Sequence, residues 1–207
     1  MIDRGESLAS TERTTAMKIA RTLAIASVSG LLLAAVPAAA QADEIRRTGS
    51  YTVRAGQTIE DDLVVRGGTV RIYGTVEGNV RQIGKGSVIV QSSGKVDGNV
   101  SESGSGHVRV YGEVDGNVSE KGSGHVRVFR NGEVDGNVTE RNKGTVYVRG
   151  TVDGNVSENG AGHVYVYRTA EIDGNVYERK AGNLYFYRGA DVDGNIKESG
   201  AGKRINR

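Results

Sequence analysis

The chain has 207 residues, with 31 glycines, one proline, no tryptophan, no cysteine and only 5% aromatic residues. Such a small supply of large side chains excludes a conventional globular core, and the lack of cysteine excludes disulfides and thiolate metal sites. A net charge of +2 gives no reason to expect nucleic acid or a membrane surface as partner.

Residues 17–42 read MKIARTLAIASVSGLLLAAVPAAAQA, the layout of a secretory signal peptide. Lys18 and Arg21 form the basic start and Leu23 to Val36 the apolar stretch. Ala38-Ala39-Ala40 and Ala40-Gln41-Ala42 are two small-residue cleavage patterns. Ser27, Ser29 and Gly30 interrupt the apolar run, which is short for a membrane span; a retained anchor is the alternative. The residues before Met17 are polar, so Met17 is the expected start. Residues 1–42 are therefore expected to be an extension and leader. Their removal leaves a nearly neutral chain with no membrane span, secreted or held in the cell envelope. Residues 43–57 are expected to form an N-terminal cap or linker.

Residues 58–200 are one repeat. Its marker is Val-acid-Gly-Asn-Val, first at Val76-Glu77-Gly78-Asn79-Val80 and then starting at Val96, Val114, Val134, Val152, Ile172 and Val192. An eroded copy, Ile59-Glu60-Asp61-Asp62-Leu63, precedes them. Successive spacings are 20, 18, 20, 18, 20 and 20 residues, the period of a solenoid. Each unit also carries a short alternating strand, such as His107-Val108-Arg109-Val110-Tyr111, which places Val108 and Val110 on one face and Arg109 and Tyr111 on the other. Gly-rich corners separate the strands, for example Lys121-Gly122-Ser123-Gly124, and glycine is expected there to supply positive φ. Eighteen residues divide into three segments of six, GHVRVY, GEVDGN and VSEKGS, which describes a triangular coil. The longer units place their extra pair at one corner, as in Phe129-Arg130-Asn131-Gly132-Glu133 against Tyr111-Gly112-Glu113. About eight coils at a strand spacing of about 4.8 Å make a rod roughly 38 Å long. The basic residues 201–207 are expected to form a C-terminal tail.

The segments Ala55-Gly56-Gln57-Thr58-Ile59-Glu60-Asp61-Asp62-Leu63-Val64-Val65 and Val70-Arg71-Ile72-Tyr73-Gly74-Thr75-Val76-Glu77-Gly78-Asn79-Val80 resemble coils of the bactofilin, or polymer-forming β-helix, family. The resemblance covers about residues 51–200. It implies a right-handed triangular parallel β-helix that polymerises end to end without nucleotide. Bactofilins are mostly cytosolic, so the leader is a departure from the family pattern.

Four columns of polar residues run along such a rod. Glu77, Asp97, Asp115, Asp135, Asp153, Asp173 and Asp193 read as a solvated negative edge, with weak Ca²⁺ binding as the alternative. Asn79, Asn99, Asn117, Asn137, Asn155, Asn175 and Asn195 read as a structural ladder of stacked amides. Glu102, Glu120, Glu140, Glu158, Glu178 and Glu198, with Gln82 in register, form a third column. Beside the aspartates it offers paired carboxylates of the kind glycosidases use, but identical coils provide no differentiated catalytic pair. His107, His125 and His163 share a corner position that Thr145, Asn183 and Lys203 take in other coils, which favours a structural role over a metal site.

The candidate binding face is the outward side of the alternating strands: Arg109, Tyr111, Arg127, Phe129, Tyr147, Arg149, Tyr165, Tyr167, Tyr185 and Tyr187. It suits contact with a second copy, stacking on sugar rings of an envelope polysaccharide, or simple stabilisation of the sheet. The expected function is a secreted structural scaffold that self-associates through its terminal coils. The alternatives are a polysaccharide-binding module and, more remotely, a carbohydrate-active enzyme. No catalytic, cofactor or metal site is expected.

Overall fold

The computed structural model describes residues 44–207, so the expected leader and its cleavage patterns lie outside the described residues. The described residues form a parallel β-helix of three sheets and contain no helix. Sheet 1 has nine strands, from Glu44–Thr48 through Val100–Gly104 and Val118–Gly122 to Ile196–Glu198. Sheet 2 has nine strands of three residues, from Tyr51–Val53 through Val108–Val110 to Arg204–Asn206. Sheet 3 has eight strands of two residues, from Thr58–Ile59 to Asp191–Val192. The chain visits the sheets in strict rotation, so every strand pairs with the strand one coil away. Each repeat position lands on its counterpart: Val100 on Val118 and Val118 on Val138, with Val108 on Val126 in sheet 2.

β-branched side chains alternating at period two account for this register, because a one-residue slip would turn every valine outward. In one coil Val108, Val110, Val114 and Val118 all point inward and are 0% exposed. Their counterparts form one continuous aliphatic core along the rod. A single coil encloses too little apolar surface to fold alone, and stacking neighbours supplies the rest.

Two corners explain the glycines, on grounds only partly those expected. Gly116, Gly106 and Gly124 do not adopt positive φ; at these corners it falls instead at Gly84, Gly86 and Gly104 in the first coils and at Asn142 further along. The constraint is stacking distance instead. A Cβ on Gly124 would stand 1.4 Å from the carbonyl oxygen of Gly106, and one on Gly116 would stand 2.6 Å from that of Gly98. The extra pair of the longer coils sits between sheets 2 and 3. There Gly132 N–H donates to the Phe129 carbonyl at 2.8 Å and Ala170 N–H to the Tyr167 carbonyl at 2.8 Å, each closing a tight turn.

The solenoid extends past residues 58–200 at both ends. Glu44–Thr48 pairs in parallel with Asp62–Arg66, and Tyr51–Val53 with Val70–Ile72, so these segments form a coil. Arg204–Asn206 pairs with Leu184–Phe186.

Candidate functional site

The outward face of sheet 2 brings the Arg and aromatic residues into two rows. Tyr147 stacks on Tyr165 at 5.1 Å between centroids and Tyr165 on Tyr185 at 4.5 Å. In the second row Tyr111 stacks on Phe129 at 3.8 Å and Tyr167 on Tyr187 at 4.9 Å. Guanidinium groups cover the open ring faces where a row changes type: Arg127 lies 4.8 Å from the Tyr147 centroid and Arg149 3.8 Å from that of Tyr167. Arg109 pairs in register with Arg127. These spacings follow the coil pitch, so the rings lie across the rod axis and turn their edges to solvent. Stacking on a sugar needs a free ring face, and both faces of Tyr147, Tyr165 and Tyr167 are taken by another ring or an arginine.

Sheet 3 is the electrostatic opposite. Its outward positions include Glu113, Asp115, Glu133, Asp135, Asp153, Glu171 and Asp173, all exposed or half-buried. Lys95 bonds Asp115 at 2.8 and 2.9 Å and also Glu113, and these contacts raise its pKa. Burial, then the neighbouring Asp115 and Asp153, push the Asp135 carboxyl upward. Ion pairs among the described residues are confined to Lys95 with its acids and to Arg46 with Glu44. No group of three or more acids and histidines among the described residues is arranged to hold a metal ion.

Two side-chain ladders run along the corners. Asn99 Nδ2 and its backbone N–H both donate to Asn79 Oδ1, at 2.8 and 2.9 Å, and Asn117 does the same to Asn99 at 2.9 Å. The pattern continues to Asn195, and at the other end Asn79 donates to Asp62 Oδ1 at 2.9 Å. Amides can do this indefinitely, because each carries both donor and acceptor. The histidine position forms the second ladder. The His125 N–H donates to His107 Nδ1 at 2.9 Å, Thr145 N–H to His125 Nδ1 at 2.9 Å and Asn183 N–H to His163 Nδ1 at 2.8 Å. Ser87 Oγ accepts from His107 N–H in the same way. An accepting Nδ1 is unprotonated, and burial followed by Arg109 lowers the pKa of His107. For His125 burial comes first, then Arg127.

The third acid column is not where a charged residue is expected. Glu102, Glu120, Glu140, Glu158 and Glu178 are at most 1% exposed and lie inside the rod, with Gln82 below them at 0%. Each glutamate sends Oε1 to a corner N–H: Gly106 at 3.1 Å, Gly124 at 3.0 Å, Gly144 at 2.8 Å, Gly162 at 3.2 Å and Gly182 at 3.1 Å. Gln82 occupies its level differently, donating Nε2 to the Gly68 and Lys85 carbonyls at 3.2 Å. The glutamates and the outward aspartates are therefore on opposite sides of the sheet wall and form no catalytic pair. Strand alternation carried the signal: in Val118-Ser119-Glu120 the glutamate shares the face of the buried valine.

The ends differ from the middle. Val192, Ile196 and Phe186 are partly exposed, whereas Ile172, Val176 and Val164 at lower levels are buried. Ile45 and Tyr51 are likewise partly exposed below the buried Leu63 and Val70. The described concavities are shallow outer grooves, such as one of about 600 Å³ over Asn137, Thr139, Ser157 and Arg179 on sheet 1.

Comparison with known proteins agrees with the coil geometry. The chain is 44% identical over 63 residues to an anti-sigma-W factor RsiW of Geobacillus kaustophilus, covering 30% of each chain. The match spans less than a third of that relative, so its activity does not transfer. No solved structure matches the chain. The bactofilin family, described as polymer-forming cytoskeletal, matches over residues 51–138 and 102–197. Nearly all of the described rod is thus covered by two overlapping matches, and the chain belongs to the bactofilin family.

Proposed function

We propose that this chain is an exported scaffold whose rods join end to end by adding strand to strand. The observation that carries the reading is the state of the terminal coils. The strand Ile196–Glu198 has a partner on one side only among the described residues, and Val192, Ile196 and Phe186 leave apolar surface beside it. A terminal coil of another copy would pair that edge and bury those side chains. The family description supports polymer formation, and the leader-like residues 17–42 support export.

Lateral contact between rods is the second element of the proposal. Sheet 2 turns Arg109, Arg127 and Arg149 outward with no carboxylate partner among the described residues, and sheet 3 turns out a line of acids. Both lines share the coil pitch, so one rod can match another over several coils at once.

Negative-stain electron microscopy of the purified chain over a concentration series tests the end-to-end contact. Filaments with a rod-length repeat are expected, and Ile196→Lys should leave discrete rods with unchanged β-sheet circular dichroism. Discrete rods of the wild-type chain at every concentration would rule the contact out.

A further inference from the structure

Each buried glutamate has one oxygen with a partner and one without. Oε1 takes the corner glycine N–H, while Oε2 of Glu102, Glu120, Glu140, Glu158 and Glu178 is enclosed and meets no donor. The same holds for Oε1 of Glu198 at the last level and Oε1 of Gln82 at the first. An enclosed acceptor left unpaired in every coil is costly, and a carboxylate charge there far more so. The register stacks the neighbours directly on one another: Glu102 on Glu120, Glu120 on Glu140, Glu140 on Glu158, Glu158 on Glu178 and Glu178 on Glu198.

Protonation resolves the whole column at once. A neutral carboxyl gains one O–H donor and keeps an acceptor, which is the property that lets amides form a ladder. We infer that these glutamates form a hydrogen-bonded chain of neutral carboxylic acids, each O–H donating to the level below and the last donating to Gln82 Oε1, so that the rod holds its protons as structural elements and comes apart when they leave. Gln82 suits the terminus, because its amide oxygen accepts and never donates.

The surroundings supply no counter-charge. At these levels sheets 2 and 3 turn valine, isoleucine and leucine inward, with Phe186 at the top. From the other elements the titratable group facing the column is His125, which senses Glu120 across the corner and is itself held toward its neutral form by burial. On sheet 1 the glutamates face only one another. Burial, followed by hydrogen bonds to neighbouring carboxyls, pushes Glu140 up to about 9, and burial likewise takes Glu102 and Glu178 up to about 7.

The sign of the pH effect follows. Unfolded glutamates lose their protons near the ordinary value of about 4.3, while the folded column keeps them to higher pH. Between those limits the native state binds more protons than the unfolded chain. Stability therefore falls as pH rises from that value through about 7 and on to about 9, where the loss is complete.

Infrared spectroscopy of the full chain reads the protons directly. A protonated-carboxyl band is expected at neutral pH in the folded chain and should vanish on unfolding. Urea midpoints between pH 7 and 10 should fall with rising pH. Glu120→Gln/Glu140→Gln/Glu158→Gln should flatten that fall and weaken the band in proportion, since glutamine forms the same ladder. Should the triple variant not fold, Glu140→Gln and the wild-type spectrum still decide. A folded chain with no such band at neutral pH, a pH-independent midpoint, or destabilisation by a chelator pointing to a bound cation in the column would each overturn the inference.

Discussion

A methyl group at Gly124 would stand 1.4 Å from the carbonyl oxygen of Gly106, and a contact that short cannot be relieved by rotating a side chain, because the obstructing atom is backbone. The same glycine gives its N–H to Glu120 Oε1 at 3.0 Å. A displaced corner thus loses two things together, the coil spacing and the partner of a buried carboxyl. Gly124→Ala should cost about 3 kcal/mol, the upper range for overpacking, and lower the urea midpoint accordingly. Gly84→Ala is the comparison, since a Cβ there meets nothing within 4 Å and only the positive φ opposes it. If Gly124→Ala proved no worse than Gly84→Ala, coil spacing would not be the reason for the glycine column. The side chains of this column were partly legible. Gly-rich stretches such as Lys121-Gly122-Ser123-Gly124 marked the corner, but the sequence suggested positive φ for Gly124, which is needed for close approach. Nothing local in a string of letters distinguishes the two, because the clash comes from a residue one coil away.

At the scale of the element, the coil is the unit that can be added or removed. Deleting residues 115–134 joins Val114 to Asp135, recreating the Val-Asp step that both coils already contain. Val114 and Val134 already occupy equivalent positions in sheet 3, so the strands on either side can re-pair in register. The shortened rod should keep a cooperative β-sheet transition at a lower melting temperature, because each coil contributes its own stability and one interface. Deleting residues 115–124 instead removes half a coil and should abolish the transition; circular dichroism reads both. Equal melting of the two deletions would contradict a repeat of this register. The strands were legible for the same reason that the deletion is designed to work: period and alternation are local and repeat many times. The glutamate column does not lie beside the aspartates, because its strand position outweighs its charge. Alternation in Val118-Ser119-Glu120 turns the glutamate inward, and Gln82 and Val65 at the same register show that the position tolerates uncharged groups. What period alone could not reveal is that a proton makes the inward carboxyl tolerable.

At the scale of the whole molecule, the three faces are unequal. Sheet 2 is lined with arginines and stacked tyrosines, and sheet 3 with carboxylates relieved mainly by Lys95. End-to-end joining would rest on backbone pairing and apolar burial, which salt does not weaken. Lateral joining would rest on exposed charges, whose reach falls from about 8 Å at physiological ionic strength to about 3 Å at 1 M. The two contacts should therefore separate in a salt titration followed by electron microscopy. In low salt, bundles several rods wide are expected. Near 1 M salt the widths should fall to single rods while the lengths persist. Arg127→Glu/Arg149→Glu should produce narrow filaments even in low salt, because the reversed face now repels the acidic face of its neighbour. Both charges lie on the outside of a sheet whose inward valines are untouched, so the rod itself should melt within a few degrees of the wild type. Bundles of unchanged width in 1 M salt would show that the charged faces do not hold the rods together. Filaments that shorten along with the loss of width would show instead that the ends depend on the same charges.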